Sequence, residues 1–264
     1  MKRFWRVASC TVILAFHSVT SDAIIMRHDI PEKVFMDLAR NYPATVTVRR
    51  ADGRGLGDEG TLIDACWVLT AAHVAAHLGP GDIAQVAGAD YRIDRVVRHP
   101  DWKTNADLKV DIALIRLSER VSSVKPVALY RRSDEQDAIV TFVGRGGYGT
   151  GLTGPVAEDR RLRAATNSVL RVQESLLVFR FDPPDDADAT KLEGISGPGD
   201  SGGPAYLERD GKLYVIGVSS GQDSRPADRK EGHYKVLEYY PRVSHFAEWI
   251  LRIIREDALG NESQ

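Results

Sequence analysis

Between Pro43 and Arg255 the chain reads as short runs of apolar and β-branched residues, separated by clusters of Gly, Pro, Asp and Asn. Ala44 to Arg49 alternates small, β-branched and polar residues. Similar runs cover Gly60 to Ile63, Trp67 to Thr70, Tyr91 to Arg98, Ile112 to Leu117, Ile139 to Gly144, Leu176 to Phe181, Leu213 to Ser219 and Tyr234 to Tyr240. Many short strands at such spacing predict an all-β barrel or sandwich. Two stretches have helical spacing instead. Val34 to Arg40 is short. Ser244 to Glu256 puts Phe246, Trp249, Ile250, Ile253 and Ile254 on one face, the i, i+3, i+4 repeat of an amphipathic helix. No repeat of 20–50 residues and no low-complexity tract interrupts the pattern.

The first 23 residues depart from it. Lys2, Arg3 and Arg6 precede a short apolar run, Val7 to Phe16, and the segment ends Ser21-Asp22-Ala23. That order is that of a secretory signal with a small-residue cleavage site. The run is too short for a membrane span, which needs about 20 residues. A lipoprotein box at Val7-Ala8-Ser9-Cys10 lacks an apolar run before it. Cleavage after Ala23 changes the totals. The whole chain has 264 residues, a formal charge of -2 and 2 cysteines. The cut leaves 241 residues, a charge of -4 and one cysteine, Cys66. That length buries a core without staples, and a single cysteine forms no internal disulfide. Cys66, next to Trp67, is expected to be a buried, inert thiol.

The near-neutral balance argues against nucleic-acid binding as the main role. The acidic stretch Asp182 to Asp188 lacks a regular calcium-ligand spacing and reads as a solvated loop. His77 stands four residues after His73, but no third ligand has a sensible spacing. His77, His99, His233 and His245 read as surface residues, with no metal site and no cofactor implied.

Three segments carry chemistry: Leu69-Thr70-Ala71-Ala72-His73-Val74, Val110-Asp111-Ile112-Ala113-Leu114-Ile115 and Gly197-Pro198-Gly199-Asp200-Ser201-Gly202-Gly203-Pro204. A serine hydroxyl needs a base to become a nucleophile at neutral pH, and a neutral imidazole serves. A buried carboxylate fixes the tautomer of that imidazole. Gly beside the serine lets the backbone turn and aim N–H groups at a developing oxyanion. His73, Asp111 and Ser201 supply these roles in chain order, with Gly199 and Ser201 as N–H donors. Each residue alone would more often be an ordinary core or turn residue. Joint occurrence, at spacings of 38 and 90 residues, points to a serine hydrolase.

The three segments resemble those of the trypsin/chymotrypsin family of serine endopeptidases, over about Ala44 to Arg255. The hexapeptide Gly199 to Pro204 is the most specific match. His99-Pro100, Val143-Gly144-Arg145-Gly146 and the C-terminal helix add to it. The resemblance implies two six-stranded antiparallel barrels, about 44–120 and 125–243, a closing helix about 244–256, and a cleft between barrels holding the site. It implies an exported, secreted or periplasmic, monomeric endopeptidase acting on protein or peptide substrates through an acyl-enzyme. It binds no nucleic acid, and no membrane once the signal is gone. A non-catalytic binding protein on the same fold, or an esterase, are the alternatives.

The resemblance also implies an activation step, in which a freed N-terminal Ile places its ammonium beside the Asp preceding the serine. Here cleavage after Ala23 frees Ile24, and the partner is Asp200. Met26 and Arg27 stand where the family usually has two glycines. For the substrate pocket the resemblance points to Ile195 and Ser196 at the base and to Ser219, Ser220 and Gly221 along one wall. Ile195 rules out trypsin-type recognition of a basic side chain through that position. Glu238 falls at the opposite wall. Three readings stay open for it: binding a basic side chain, filling the pocket so that small residues fit, or an exposed strand residue displaced by an alignment slip. Ser219 is expected to hydrogen-bond Asp111. Val74 replaces a family cysteine, and no cysteine pins the serine loop, as in bacterial-type members.

Overall fold

The computed structural model describes residues 24–54, 57–104, 108–223 and 230–262. The expected signal, residues 1–23, lies outside them. The first half folds as a closed six-stranded antiparallel barrel, in the order Thr45–Arg49, Asp58–Asp64, Trp67–Thr70, Ala113–Leu117, Ala89–Arg98 and Ile83–Val86. Closure leaves no unpaired edge. Inside it Val46, Leu62, Val68, Leu114 and Ile115 are fully buried.

The second half wraps three sheets around another core. Five strands run Arg163–Ser168, Ile139–Gly144, Pro204–Arg209, Lys212–Val218 and Ala128–Leu129. Four run Arg171–Gln173, Leu176–Arg180, Leu237–Pro241 and Gly221–Asp223. The last four are Gly154–Glu158, Gly147–Thr150, Ile25–Met26 and Gly194–Ile195. Isolated bridges at Thr166–Glu193 and Gly217–Arg242 link them. Phe142, Phe179 and Tyr240 pack ring against ring in this core, with centroids 4.9–5.2 Å apart. Tyr42 joins the halves: it stacks on Tyr206 at 5.1 Å and donates to Thr141 Oγ1 at 3.1 Å.

The C-terminal helix spans Val243–Glu262, six residues longer than expected at its end. Its apolar face buries Phe246, Trp249 and Ile250 in the cluster that includes Trp67 and Leu117, each worth about 1.5–3 kcal/mol of burial. The added residues, Asp257 to Glu262, do not continue the apolar stripe, so periodicity gave no sign of them. Asp257 there pairs with Arg116 at 2.7 Å and Arg95 at 2.9 Å on the barrel. The short helix is Glu32–Ala39, begun directly after Pro31. It buries Phe35 and Ala39, and its Glu32 meets the fully buried Arg163, which also binds Asp159 and lies over the Tyr148 ring.

Candidate active site

His73 sits in the helical turn Ala72–Ala75, directly after the barrel strand Trp67–Thr70. Alanines make this position possible. Ala72 and Ala75 pack on Ala113, so the strand that follows Asp111 comes close. Asp111 is fully buried, and it holds His73 twice. The His73 backbone N–H donates to Oδ1 at 2.8 Å, and ring Nδ1 contacts Oδ2 at 2.6 Å. The ring bond fixes Nδ1 as the protonated nitrogen and leaves Nε2 with its lone pair free to accept a proton. Burial acts to lower the His73 pKa, but the hydrogen bond and charge of Asp111 outweigh it and leave it raised.

Ser201 lies on the turn between Gly194–Ile195 and Pro204–Arg209. The turn is held against the first barrel. The Glu59 N–H donates to the Ser201 carbonyl at 2.9 Å. A Cβ at Gly202 would collide with Thr70 Oγ1 and the Glu59 carbonyl, one turn ahead of His73. Gly199 has φ 88, a conformation suited to glycine. Among the described residues the N–H groups of Gly199 and Ser201 have no acceptor within the chain. Nor does the Ser201 hydroxyl bond to His73, a contact that commonly tightens only with substrate bound.

The hydroxyl on Asp111 is that of Ser220, not of Ser219 as the resemblance led us to expect. Ser220 Oγ donates to Asp111 Oδ2 at 2.6 Å. Ser219 instead faces the second half, with its Oγ 3.0 Å from Ser196 Oγ. Ser196 donates its N–H to Glu238 Oε2 at 3.2 Å, and its hydroxyl bonds Glu238 Oε1. Glu238 is fully buried, which removes the reading of an exposed strand residue. Burial pushes its carboxyl well above the usual range, and the nearby Asp200 adds to that. Ile195 is fully buried and packs with Ile25, Phe181 and Val236. Gly221 is half-buried at the start of the strand Gly221–Asp223.

Asp200 is buried beneath the turn. It accepts N–H bonds from Gly146 and Gly197, both at 3.0 Å. Burial drives its pKa well upward. Ile24 and Ile25 are fully buried, and Ile25–Met26 pairs with both Gly149–Thr150 and Gly194–Ile195. Arg27 extends that anchoring: its N–H donates to the Glu193 carbonyl at 3.0 Å, and its guanidinium binds Asp29 and the Thr190 carbonyl.

Sequence reasoning missed two groups of residues here. Gln222 donates to the Ser196 carbonyl at 2.6 Å and accepts from the Gly232 N–H at 2.9 Å. Asp58 and Glu59 stand beside the Ser201 turn and His73. Two adjacent acids at the start of the strand Asp58–Asp64, whose middle is mostly apolar, were the available signal.

Other sequence readings change as well. His99 is not a surface residue: it packs on Phe246 and Trp249, and burial lowers its pKa. Asp182, at the head of the acidic loop, is buried and paired with Arg180, which also reaches Asp186 and Asp188. Cys66 is only partly buried. Among the described residues no group of three or more His, Cys, Asp or Glu is placed to hold a metal ion.

Comparison with known proteins agrees with this geometry. The family described as Trypsin matches residues 37–250. A calcium-dependent serine proteinase of Mesocricetus auratus is 30% identical over 77% of this chain and 32% of its own length. The complement C1s subcomponent of Rattus norvegicus is 28% identical over 75% of the chain and 32% of its own. The urokinase-type plasminogen activator of Gallus gallus is 27% identical over 72% and 49%. The chain thus spans between a third and a half of the length of these relatives. A family match over four-fifths of the residues, on a closed barrel that joins His73 to Asp111, leads to one statement: the chain belongs to the trypsin family.

Proposed function

We propose that the protein is a serine endopeptidase. The carrying observation is the doubly bonded His73–Asp111 pair beside a serine turn whose Gly199 and Ser201 N–H groups have no internal acceptor. Ser201 Oγ attacks the scissile carbonyl as His73 Nε2 takes its proton. Asp111 steadies the imidazolium. The two N–H groups bind the oxyanion, a contribution of about 2.7–4 kcal/mol per donor. His73 returns the proton to the leaving amine, and water then splits the acyl-enzyme by the same route. Comparing hydrolysis of a peptide library by the protein and by Ser201→Ala tests this. Loss of all cleavage in the variant is expected; equal cleavage by both sinks the reading.

For the acyl-side pocket, the buried network of Ser196, Ser219, Glu238 and Tyr240 favours small residues before the scissile bond. Glu238 fills the space, and burial favours its neutral form, a poor counter-charge for a basic side chain. Ile195 adds an apolar floor. The backbone of Gly221 then pairs with an extended substrate, as in strand addition.

Residues 1–23 act in this reading as a signal that exports the protein to the periplasm or the medium, where it works as a monomer on protein or peptide substrates. Among the described residues no helix is long and apolar enough to cross a membrane. Cleavage after Ala23 then frees Ile24, whose ammonium meets Asp200. Supporting this are the burial of Ile24 and an Asp200 carboxylate that is held by N–H groups alone. An uncompensated buried charge is costly. Adding one alanine before Ile24 should abolish activity; full activity in that form removes the activation step.

A further inference from the structure

Glu59 stands in the barrel strand Asp58–Asp64 and is fully buried. Its backbone donates to the Ser201 carbonyl, and a Cβ at Gly203 would lie 3.4 Å from its own. Its side chain reaches the other side of the nucleophile turn. Arg145 Nη1 meets Glu59 Oε2 at 3.4 Å and Thr47 Oγ1 at 3.2 Å, while Thr47 Oγ1 donates to Oε1 at 3.3 Å. Arg145 lies between two glycines that grip Asp200. A Cβ at Gly144 would collide with Asp200 Oδ1, and the Gly146 N–H donates to that oxygen. Residue 59 therefore ties the first barrel to the serine turn through its backbone N–H, and to the segment that seats Asp200 through its carboxylate. A buried charge at a strand position costs stability that an apolar residue would not.

We propose that Glu59 and Arg145 form one positioning unit, whose ionised pair holds the Ser201 turn so that the Gly199 and Ser201 N–H groups face the reacting oxygen. The inference rests on the serine-protease reading above. Protonating Glu59 discharges the pair. Burial pushes its carboxyl up to about 7, against the pull of Arg145 and Arg160 and the Thr47 bond, with Asp58 adding to the rise. Asp200 and the buried Tyr206 phenol also face it. Two deprotonations, of His73 and of Glu59, then precede full activity.

The test is kcat against pH, from pH 5 to 9, for the protein, Glu59→Gln, Arg145→Gln and the double variant. The acid limb of log kcat should be steeper than one in the unaltered protein, because protonating Glu59 removes a further factor of about ten, and should have a slope of one in Glu59→Gln. At pH 8.5 each single variant should lose about tenfold in kcat with KM changed less than about twofold, and the double variant should lose no more than either. A slope of one in the unaltered protein overturns the proposal without need of any variant, and so do additive losses. A phosphonate adduct at Ser201 separates the failures: with the adduct present only the positioning role falls, and with it absent the protease reading falls too.

Discussion

Ser220 Oγ and His73 Nδ1 meet the same oxygen, Asp111 Oδ2, each at 2.6 Å. The carboxylate is therefore fixed from two sides, by the barrel that carries His73 and by the strand leading to the pocket. Removing the Ser220 hydroxyl leaves a buried acceptor short of a donor, a loss of about 1.5–3 kcal/mol for a bond to a charged group. Ser220→Ala should lower kcat/KM about ten- to a hundredfold on every substrate. Ser219→Ala should instead alter side-chain preference, because its hydroxyl contacts Ser196. Steady-state kinetics on matched peptides separates the two; equal effects would contradict the assignment.

Glu238→Gly should open the acyl-side pocket. Ser196 would lose its carboxyl partner, and peptides with Phe before the scissile bond should gain at least about tenfold relative to Ala peptides. One or two accommodated methylenes are each worth roughly 1–3 kcal/mol. Glu238→Gln keeps the volume and should keep the preference for small residues. A pocket that accepts Phe equally in all three forms contradicts the filled-pocket reading.

Gly144→Ala adds a methyl against Asp200 Oδ1. Overpacking of this kind costs about 1–3 kcal/mol. The strand Ile139–Gly144 keeps its partners, so thermal unfolding should stay cooperative while activity falls sharply, because Asp200 precedes Ser201. Unchanged activity would show that the position of Asp200 does not govern the turn.

Stability should fall as pH rises from 5 to 8. Glu59 and Glu193 are both pushed up to about 7 by burial, so their folded pKa values exceed the unfolded ones. Stability from such groups is full below the unfolded pKa and is lost as pH rises through the folded value. His73, also raised, acts in the same direction above pH 6.5; His99, lowered, opposes it. The melting temperature should be higher at pH 5.5 than at pH 8, and the difference should shrink in Glu193→Gln. A rising melting temperature over that range would contradict the buried acids.

The residues that form the His73–Asp111 pair and the glycine-flanked Ser201 turn were legible because a hexapeptide and two short segments fix residue types in a line. Which serine meets Asp111 was not. Ser219 and Ser220 are adjacent and chemically identical, and consecutive side chains on an extended segment face opposite ways. The Ser219 N–H bonds Gly203 and that of Ser220 bonds Tyr239, so only the tertiary register decides. Strands such as Trp67–Thr70 and Ile139–Gly144 match their apolar runs residue for residue. Gly147–Thr150, Gly154–Glu158 and Arg163–Ser168 carry Gly, Ala, Thr and Asn without alternation. Pairing across the fold, rather than local preference, makes them strands. The expected strand at Tyr234 begins only at Leu237, since Lys235 adopts φ 73. Glu59 was hidden because its role depends on Arg145, 86 residues away.

The central claim is that Ser201, served by His73 and Asp111, is an activated nucleophile. Incubating the protein that begins at Ile24 with a serine-directed phosphonate, followed by peptide mass spectrometry, reads this directly. One adduct on Ser201, absent from His73→Ala, is the expected result. No adduct at Ser201, or equal labelling in that variant, would contradict it.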